Sequence, residues 1–259
     1  MKRVVAPAKL TLTLSITGVR PDGYHNLRAE MVSLSLADVL TFTNGGSGLT
    51  VTADPGTRAG ALAETDANLI TSALAAVGRT AAVHLVKRIP VGGGLGGGSS
   101  DAAAVLRWAA CHDPAVALRL GADVPFSVAG GRALVEGIGE RVTPMPFQAR
   151  DFLLLVPPFG VDTSQVYEAW DEAPTMEGPN ALTAAALRVE PRLADWRDAL
   201  ADLAACQPTL AGSGSTWFVE GGPAEAGTES MPILNRGTQQ ARLVRARTVP
   251  AGWEGDERR

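Results

Sequence analysis

Six glycines occupy seven consecutive positions in the stretch PVGGGLGGGSSDAA, which begins at Pro90. Each glycine costs about 0.5–1 kcal/mol of folding free energy relative to alanine, because it loses more conformational freedom. Apolar segments on both sides argue against a flexible linker, so something must approach this backbone closely. Since a helix is predicted from about Ser100, free N–H groups and a helix N-terminus would together attract an anion. A phosphate chain is the ligand that this arrangement favours.

The two common phosphate-binding motifs fit the loop poorly. Gly92, Gly94 and Gly97 satisfy G-x-G-x-x-G, which is typical of dinucleotide-binding proteins. However, a run of six glycines satisfies almost any glycine motif, and Asp113, about 20 residues further on, does not follow a strand. A Walker A loop has a lysine directly before its serine, and GGGSSD has none. A nicotinamide-binding oxidoreductase therefore stays open as an alternative on these residues.

Two charged residues are candidates for phosphoryl-transfer chemistry. Asp123 stands in GADVPF, where Pro125 disfavours a helical Val124 and would leave the carboxylate free at the end of an element. Such a carboxylate can accept the proton of an attacking hydroxyl, or it can cap a helix. Lys9 lies between two apolar residues of a predicted strand. A lysine there is either solvated or paired with an anion, which it could stabilise during the reaction.

Periodicity predicts the elements that position these residues. Strands are expected over residues 3–17, 29–43, 81–90, 152–158 and 215–220, with further strands between 123 and 150. Helices are expected over residues 68–78, from about 100, and over 164–172, 183–188 and 196–206. A turn is predicted at 21–23, a loop-rich segment at 44–60 and a polar, frayed tail from about 222. We expect a domain boundary near residues 147–151.

Bulk composition excludes several classes of protein. The chain has 259 residues, a net charge of −4 and 46% hydrophobic residues, so it can bury a core and lacks the basic surface of a nucleic-acid binder. Its two cysteines and three scattered histidines form neither a disulfide framework nor a zinc motif. No apolar run reaches membrane-spanning length. We expect a soluble cytoplasmic protein without nucleic-acid or membrane partners, and the sequence does not indicate an oligomeric state.

The glycine stretch resembles the central signature of the GHMP superfamily of small-molecule kinases. PAKLTLTL and LAGSGSTWF are similar to the two outer signatures of that superfamily. Within it, GVRPDGYHNL, LGADVPF and VDTSQVYEAWD resemble the branch that phosphorylates the 2-hydroxyl of a cytidine diphosphate-linked methylerythritol in the non-mevalonate isoprenoid pathway. The resemblance implies an α+β, two-domain GHMP kinase fold. A ribosomal S5-like ATP-binding domain would span 1–148 and a ferredoxin-like substrate-binding domain 149–259, with the ligands in the cleft between them.

The resemblance also implies roles for individual residues. Asp123 would be the catalytic acid/base and Lys9 the second catalytic residue. ATP, accompanied by Mg²⁺, would be bound by Asn68, Lys87, Pro90, Gly92, Gly93, Gly94, Leu95, Gly96, Gly97, Gly98, Ser99 and Ser100, and the two serines would cap the helix. The substrate would be bound by Thr11, Tyr24, His25, Thr163, Tyr167, Gly212 and Ser213, with Tyr24, His25 and Tyr167 at the cytosine ring and Thr163 near a phosphate. No protein ligand for a metal is assigned.

Two departures from the family pattern leave alternatives open. Thr11 replaces the asparagine of the family, and Asn180 lacks the acidic neighbours expected beside it, which affects substrate affinity rather than fold. The chain could be another superfamily member acting on homoserine, mevalonate or a sugar, although GYH and TSQVYEAWD favour a cytosine site. It could also be a nucleotide-binding relative that has lost catalysis, although both Lys9 and Asp123 are present.

Overall fold

The computed structural model of the chain describes residues 1–58, 68–221, 233–236 and 239–256. Its first sheet has six strands in the order β3-β4-β2-β5-β6, with β1 paired along β2. All neighbours are antiparallel except β3 and β4. The strands are β1 (Lys2–Val19), β2 (His25–Thr43), β3 (Leu49–Ala53), β4 (Ala82–Lys87), β5 (Arg132–Gly137) and β6 (Arg141–Met145).

The second sheet has five antiparallel strands in the order β10-β11-β7-β9-β8. They are β7 (Asp151–Val156), β8 (Thr209–Leu210), β9 (Trp217–Glu220), β10 (Ile233–Arg236) and β11 (Gln239–Arg247). The predicted boundary between residues 148 and 149 falls in the segment that joins the two sheets.

Seven helices cover these sheets in the described part of the chain. Those packed with the first sheet are α1 (Leu69–Ala76), α2 (Gly97–Trp108), α3 (Pro114–Leu120) and α4 (Val124–Ala129). Those packed with the second are α5 (Thr163–Glu172), α6 (Thr183–Val189) and α7 (Leu193–Ala204). The expected α+β class is therefore confirmed. Among the described residues, no helix combines the length and the apolarity needed to cross a membrane.

The two sheets pack against each other through one apolar core. Leu10 and Leu34 of the first sheet lie in the same buried cluster as Phe152, Leu154 and Phe218 of the second. Strand β1 extends further, because its later residues belong to the core beneath α5–α7. The 18-residue β1 thus carries its middle residues, which include Lys9, into the junction between the two halves.

Most predicted elements are confirmed, but several elements of the structure differ from the prediction. Strand β3 lies inside the segment predicted as loop, where glycines and a proline flank LTVTA. Helix α4 occupies part of the region predicted as strands, and β10 and β11 occupy part of the predicted tail. Helix α2 begins at Gly97, three residues earlier than predicted. Parts of the predicted loop (59–60) and of the predicted tail (222–232, 237–238 and 257–259) lie outside the described residues.

Helix α4 also corrects the expectation for Val124, which is helical. Pro125 stands in the first turn of this helix, where a missing N–H removes no hydrogen bond and the fixed φ of proline suits the helix. Asp123 still lies directly before the helix, and its side chain makes no capping hydrogen bond. The carboxylate is therefore free of the capping role that the sequence left open.

Candidate active site

The glycine loop between β4 and α2 lines a cavity of about 370 Å³. Gly92, Gly94 and Gly96 have φ angles of +69°, +79° and +66°, a left-handed conformation that glycine adopts readily. Within the described part of the chain, the backbone N–H groups of residues 92–99 donate to no other protein group. Together with the positive end of α2, these donors form a site for an anion.

The absence of side chains in the loop has a direct steric reason. A Cβ atom on Gly94 would lie 2.2 Å from the carbonyl oxygen of Ala211, and one on Gly214 would lie 2.1 Å from the N atom of Gly94. A Cβ atom on Gly96 would lie 2.6 Å from Cγ of Lys9. Residues 211–215 therefore pack closely beside the glycine loop, and both loops approach β1.

The first turn of α2 differs from its predicted form. Gly96, in the left-handed conformation, is the N-cap, so the expectation that Ser99 and Ser100 cap the helix is wrong. Ser99 lines the cavity, whereas the Ser100 hydroxyl is turned away and donates a 2.5 Å hydrogen bond to the carbonyl oxygen of Pro7. Ser100 therefore joins α2 to β1 and is not placed to contact a ligand through its side chain.

A buried ion cluster lies beneath the loop. Nζ of Lys87 lies 2.5 Å from Oδ2 of Asp38 and 2.7 Å from Oδ2 of Asp101, and all three side chains are buried. The other oxygen of Asp38 accepts hydrogen bonds from the N–H groups of Arg88 and Ile89. The cluster joins β2, the end of β4 and the second turn of α2, and so fixes the glycine loop from below.

The charges of this cluster are strongly coupled. Burial opposes the charge of Lys87, but Asp101 and Asp38 outweigh it and raise the pKa of the ammonium. Burial raises the pKa of Asp101 to about 8, against the lowering effect of Lys87, and Asp38 adds to the rise. Oδ1 of Asp101 is buried and has no hydrogen-bond partner among the described residues. A proton on Asp101 would leave Lys87 and Asp38 as a neutral pair.

All but one of the residues predicted to bind ATP line this first cavity. They are Asn68, Lys87, Pro90, Gly92, Gly93, Gly94, Leu95, Gly96, Gly97, Gly98 and Ser99. Asn68 is also the N-cap of α1, where its side chain accepts a hydrogen bond from the N–H of Ile70. The exception is Ser100. The contacts of these residues with ATP stay predictions.

Lys9 and Asp123 meet at one end of the cavity, although 114 positions of sequence separate them. Nζ of Lys9 lies 3.4 Å from Oδ2 of Asp123 and donates a 3.1 Å hydrogen bond to Oγ1 of Thr11. Lys9 is only 6% exposed, so the solvated strand lysine left open by the sequence does not occur. The Ser127 hydroxyl donates to the carbonyl oxygen of Asp123, and the carbonyl oxygen of Ser127 accepts from the partly buried Arg107 of α2.

A second cavity, of about 500 Å³, contains aromatic side chains. The His25 ring lies 4.8 Å from the Tyr167 ring with an interplanar angle of 35°, and 5.6 Å from the Trp170 ring in an edge-on arrangement. Nε2 of His25 lies 2.7 Å from Oδ1 of Asp171. Burial, and secondarily the charge of Asp123, raise the pKa of the Tyr167 hydroxyl above its ordinary value, so the ring stays neutral. Such a surface suits a flat polar ring.

All seven residues predicted to bind substrate line this second cavity: Thr11, Tyr24, His25, Thr163, Tyr167, Gly212 and Ser213. Tyr24 is 61% exposed at the rim. Oγ1 of Thr163, the first residue of α5, lies 2.9 Å from Oγ of Ser213. This contact joins the start of α5 to the loop 211–215. The roles of these residues toward a substrate stay predictions.

The two cavities meet at a small group of residues. Both are lined by Lys9, Ser99, Asp123, Thr163 and Ser213. A ligand in each cavity would therefore place its reacting end at the same ammonium and carboxylate.

The sequence did not indicate every residue of this site. Asp171 lies one helical turn after Tyr167, and its i+4 spacing could have revealed it as a neighbour of the aromatic cavity. Asp38 and Ile138 give no such signal. Sheet pairing brings Asp38 to the ion cluster beneath the glycine loop, and packing brings Ile138 to the second cavity. Asp38 lies in β2, next to the pairing with β4, and Ile138 follows β5.

Comparison with known proteins identifies relatives of the chain. The GHMP kinases N terminal domain matches residues 68–131. The 4-diphosphocytidyl-2-C-methyl-D-erythritol kinases of Paracoccus denitrificans and Ruegeria pomeroyi are 38% and 36% identical over 238 and 242 residues. These matches cover 84% and 82% of the chain and 86% of each relative.

A solved structure agrees with these matches. The crystal structure of a 4-(cytidine 5'-diphospho)-2C-methyl-D-erythritol kinase has a TM-score of 0.65 at 34% identity. The match covers 86% of this chain and 90% of that one. The expected two-domain GHMP kinase fold is thus confirmed, whereas the exact domain ranges stay a prediction.

Proposed function

Because the chain belongs to the 4-diphosphocytidyl-2-C-methyl-D-erythritol kinase family of GHMP kinases, we propose that it transfers the γ-phosphoryl group of ATP to the 2-hydroxyl of that cytidine-diphosphate compound. The observation that carries the proposal is the position of Lys9 and Asp123 where the two cavities meet. A cytoplasmic location and a place in isoprenoid precursor synthesis belong to the same proposal.

The triphosphate of ATP would lie against the glycine loop. Its negative charge matches the N–H groups of residues 92–99 and the N-terminus of α2. The close packing of Gly94 against Gly214 holds this backbone in place before the nucleotide arrives. Such preorganised donors stabilise charge on the transferring group without further rearrangement.

The carboxylate and the ammonium would divide the chemistry between them. Asp123 would accept the proton of the 2-hydroxyl while the hydroxyl oxygen forms its bond to the γ-phosphorus. The bond between that phosphorus and the β,γ-bridging oxygen breaks, and ADP leaves with the electron pair. Lys9, 3.4 Å from Asp123, would stabilise the negative charge that spreads over the transferring oxygens. Thr11 accepts a hydrogen bond from Lys9 and so limits where the ammonium can point.

The cytosine ring would occupy the aromatic end of the second cavity. His25 and Tyr167 provide ring surfaces there, and Tyr24 lies at the rim. Aromatic rings stack on bases, and a histidine can also hydrogen-bond to a base edge. The reacting hydroxyl would then lie at Asp123, which lines the same cavity.

Mg²⁺ would be held mainly by the phosphates of ATP. Among the residues that the structure describes, no group of three or more His, Cys, Asp or Glu could hold a metal by itself. The oxygen ligands at the shared end of the cavities are the Asp123 carboxylate and the hydroxyls of Ser99, Thr163 and Ser213. This set fits an ion that keeps several waters and takes only one or two protein ligands. When bound, the ion neutralises phosphate charge.

The test is a coupled ADP-release assay with a panel of acceptor alcohols. We expect turnover with 4-diphosphocytidyl-2-C-methyl-D-erythritol and background rates with homoserine, mevalonate and galactose. Equal or faster turnover with one of the smaller alcohols would assign the chain to another substrate class, because such a substrate has no use for the aromatic cavity.

A further inference from the structure

His25 is held in the second cavity by three neighbours from α5. Its ring packs against Tyr167 and Trp170, and its Nε2 lies 2.7 Å from Oδ1 of Asp171. The His25 side chain is only 8% exposed. The imidazole is therefore fixed in position and in orientation before a ligand enters.

The Asp171 carboxylate decides which ring nitrogen of His25 carries the proton. An ionised carboxylate can only accept hydrogen bonds, so Nε2 is the nitrogen that donates. In a neutral imidazole the other nitrogen, Nδ1, is then an acceptor. Within the described ranges, His25 makes no second side-chain hydrogen bond that would occupy Nδ1, and the residue lines the cavity. Nδ1 is thus an acceptor that no described protein group occupies.

We propose that Asp171 is a positioning residue that determines base specificity, because it fixes the His25 tautomer that accepts a hydrogen bond from the amino group of cytosine. The inference rests on the proposed function. Cytosine has an amino donor at the position where uracil has a carbonyl acceptor. A carbonyl oxygen would face the lone pair of Nδ1 without a proton between them. A site built to hydrogen-bond one partner rejects an analogue that cannot make that bond.

The position of Asp171 separates this role from a structural one. It lies four residues after Tyr167 on α5, so one helix face supplies both the ring and the orienting carboxylate. The Asp171 side chain is 49% exposed, so solvent screens its carboxylate and the contact contributes little to folding stability. Its loss should therefore appear in substrate selection rather than in the thermal unfolding of the protein.

The experiment compares the wild type, Asp171→Ala, Asp171→Asn and the control Glu172→Ala, which changes the adjacent exposed carboxylate of α5. Each is assayed with the cytidine-diphosphate substrate and with its uridine analogue. We expect Asp171→Ala to raise KM for the cytidine substrate and to lower the cytidine-to-uridine ratio of kcat/KM about fivefold. KM for ATP should not change. Asp171→Asn should restore part of the ratio, because its amide oxygen can still accept from Nε2.

Two results would overturn the inference. One is an unchanged cytidine-to-uridine ratio in Asp171→Ala. The other is a wild-type preference for the uridine analogue, which would mean that His25 presents a donor. A wild type that turns over neither substrate would instead contradict the proposed function, and the inference with it.

Discussion

The reaction centre consists of two side chains that come from different elements. Lys9 belongs to β1 and Asp123 precedes α4, yet their charged atoms lie 3.4 Å apart where the two cavities join. The Asp123 side chain makes no helix-capping hydrogen bond, and the Lys9 side chain is buried rather than solvated at the surface. Their position is what a phosphoryl transfer between two bound ligands requires.

The first prediction concerns the carboxylate. Asp123→Asn keeps the shape of the side chain but removes the proton acceptor, so kcat should fall at least about 100-fold. Binding of a non-hydrolysable ATP analogue, measured by calorimetry, should persist, because the glycine loop is unchanged. Asp113→Asn is the matched control, since Asp113 caps α3 and asparagine caps equally well. A variant at Asp123 that retains wild-type turnover would remove this residue from the mechanism.

The second prediction concerns the buried ion cluster and pH. Burial raises the pKa of Asp101 to about 8 from 3.8, so between these values the folded state holds a proton that the unfolded state has lost. The contribution of Asp101 to the free energy of unfolding is fully present below about pH 4 and is lost as the pH rises toward 8. The unfolding free energy of the wild type should therefore fall between pH 6 and pH 8. In Asp101→Asn, which mimics the protonated form, we expect this fall to be smaller by about 1–2 kcal/mol.

Urea unfolding at several pH values measures this difference. Glu172→Gln, an exposed carboxylate on α5, should leave the pH dependence of stability unchanged. Parallel curves for the wild type and Asp101→Asn would show that Asp101 is ionised in the folded state at pH 6.

At the scale of elements, the phosphate site depends on the contact between two loops. Gly214→Ala would place a Cβ atom 2.1 Å from the N atom of Gly94, which belongs to the backbone and cannot rotate away. We expect a loss of about 1–3 kcal/mol of stability and a KM for ATP raised about tenfold or more. Gly18→Ala is the control, because a Cβ atom there meets nothing within 4 Å. Equal behaviour of the two variants would show that the contact does not hold the loop.

The elements also show what the sequence can and cannot predict. Strand β1 and strand β2 were predicted because apolar and polar residues alternate along them, and α1 because it runs from Asn68 to the helix-ending Gly78. Strand β3 was missed, because LTVTA is short and glycines and a proline flank it, so only its pairing with β4 defines it. Helix α4 was missed because its six residues include a proline and two valines.

In the candidate site, too, some features could be predicted from the sequence and others could not. Motifs identified the glycine loop, Lys9 and Asp123, and the structure brings all of them to two adjoining cavities. The contacts that orient them were not predictable, since Asp38 reaches Lys87 across the sheet and Asp171 of α5 reaches His25 at the start of β2. Such pairs are far apart in sequence, and only the packing of the fold joins them.

At the scale of the whole molecule, the two sheets share one core. Leu154 of β7 is fully buried in the cluster that also contains Leu10 and Leu34 of the first sheet. We therefore expect a single unfolding transition in calorimetry. Leu154→Ala should lower stability by about 2–5 kcal/mol and shift that transition as a whole.

The control for this prediction is Leu203→Ala, since Leu203 is 41% exposed on α7 and its loss should change stability by less than about 0.5 kcal/mol. Two separate calorimetric peaks, with only the second shifted by Leu154→Ala, would show that the halves unfold independently.

The most direct test of the central claim is a crystal structure with a non-hydrolysable ATP analogue and 4-diphosphocytidyl-2-C-methyl-D-erythritol bound together. We predict that the phosphates lie against the N–H groups of residues 92–99 and the cytosine lies beside His25. The 2-hydroxyl should then fall between Asp123 and the γ-phosphorus. A nucleotide bound away from the glycine loop, or a hydroxyl out of hydrogen-bond reach of Asp123, would contradict the account.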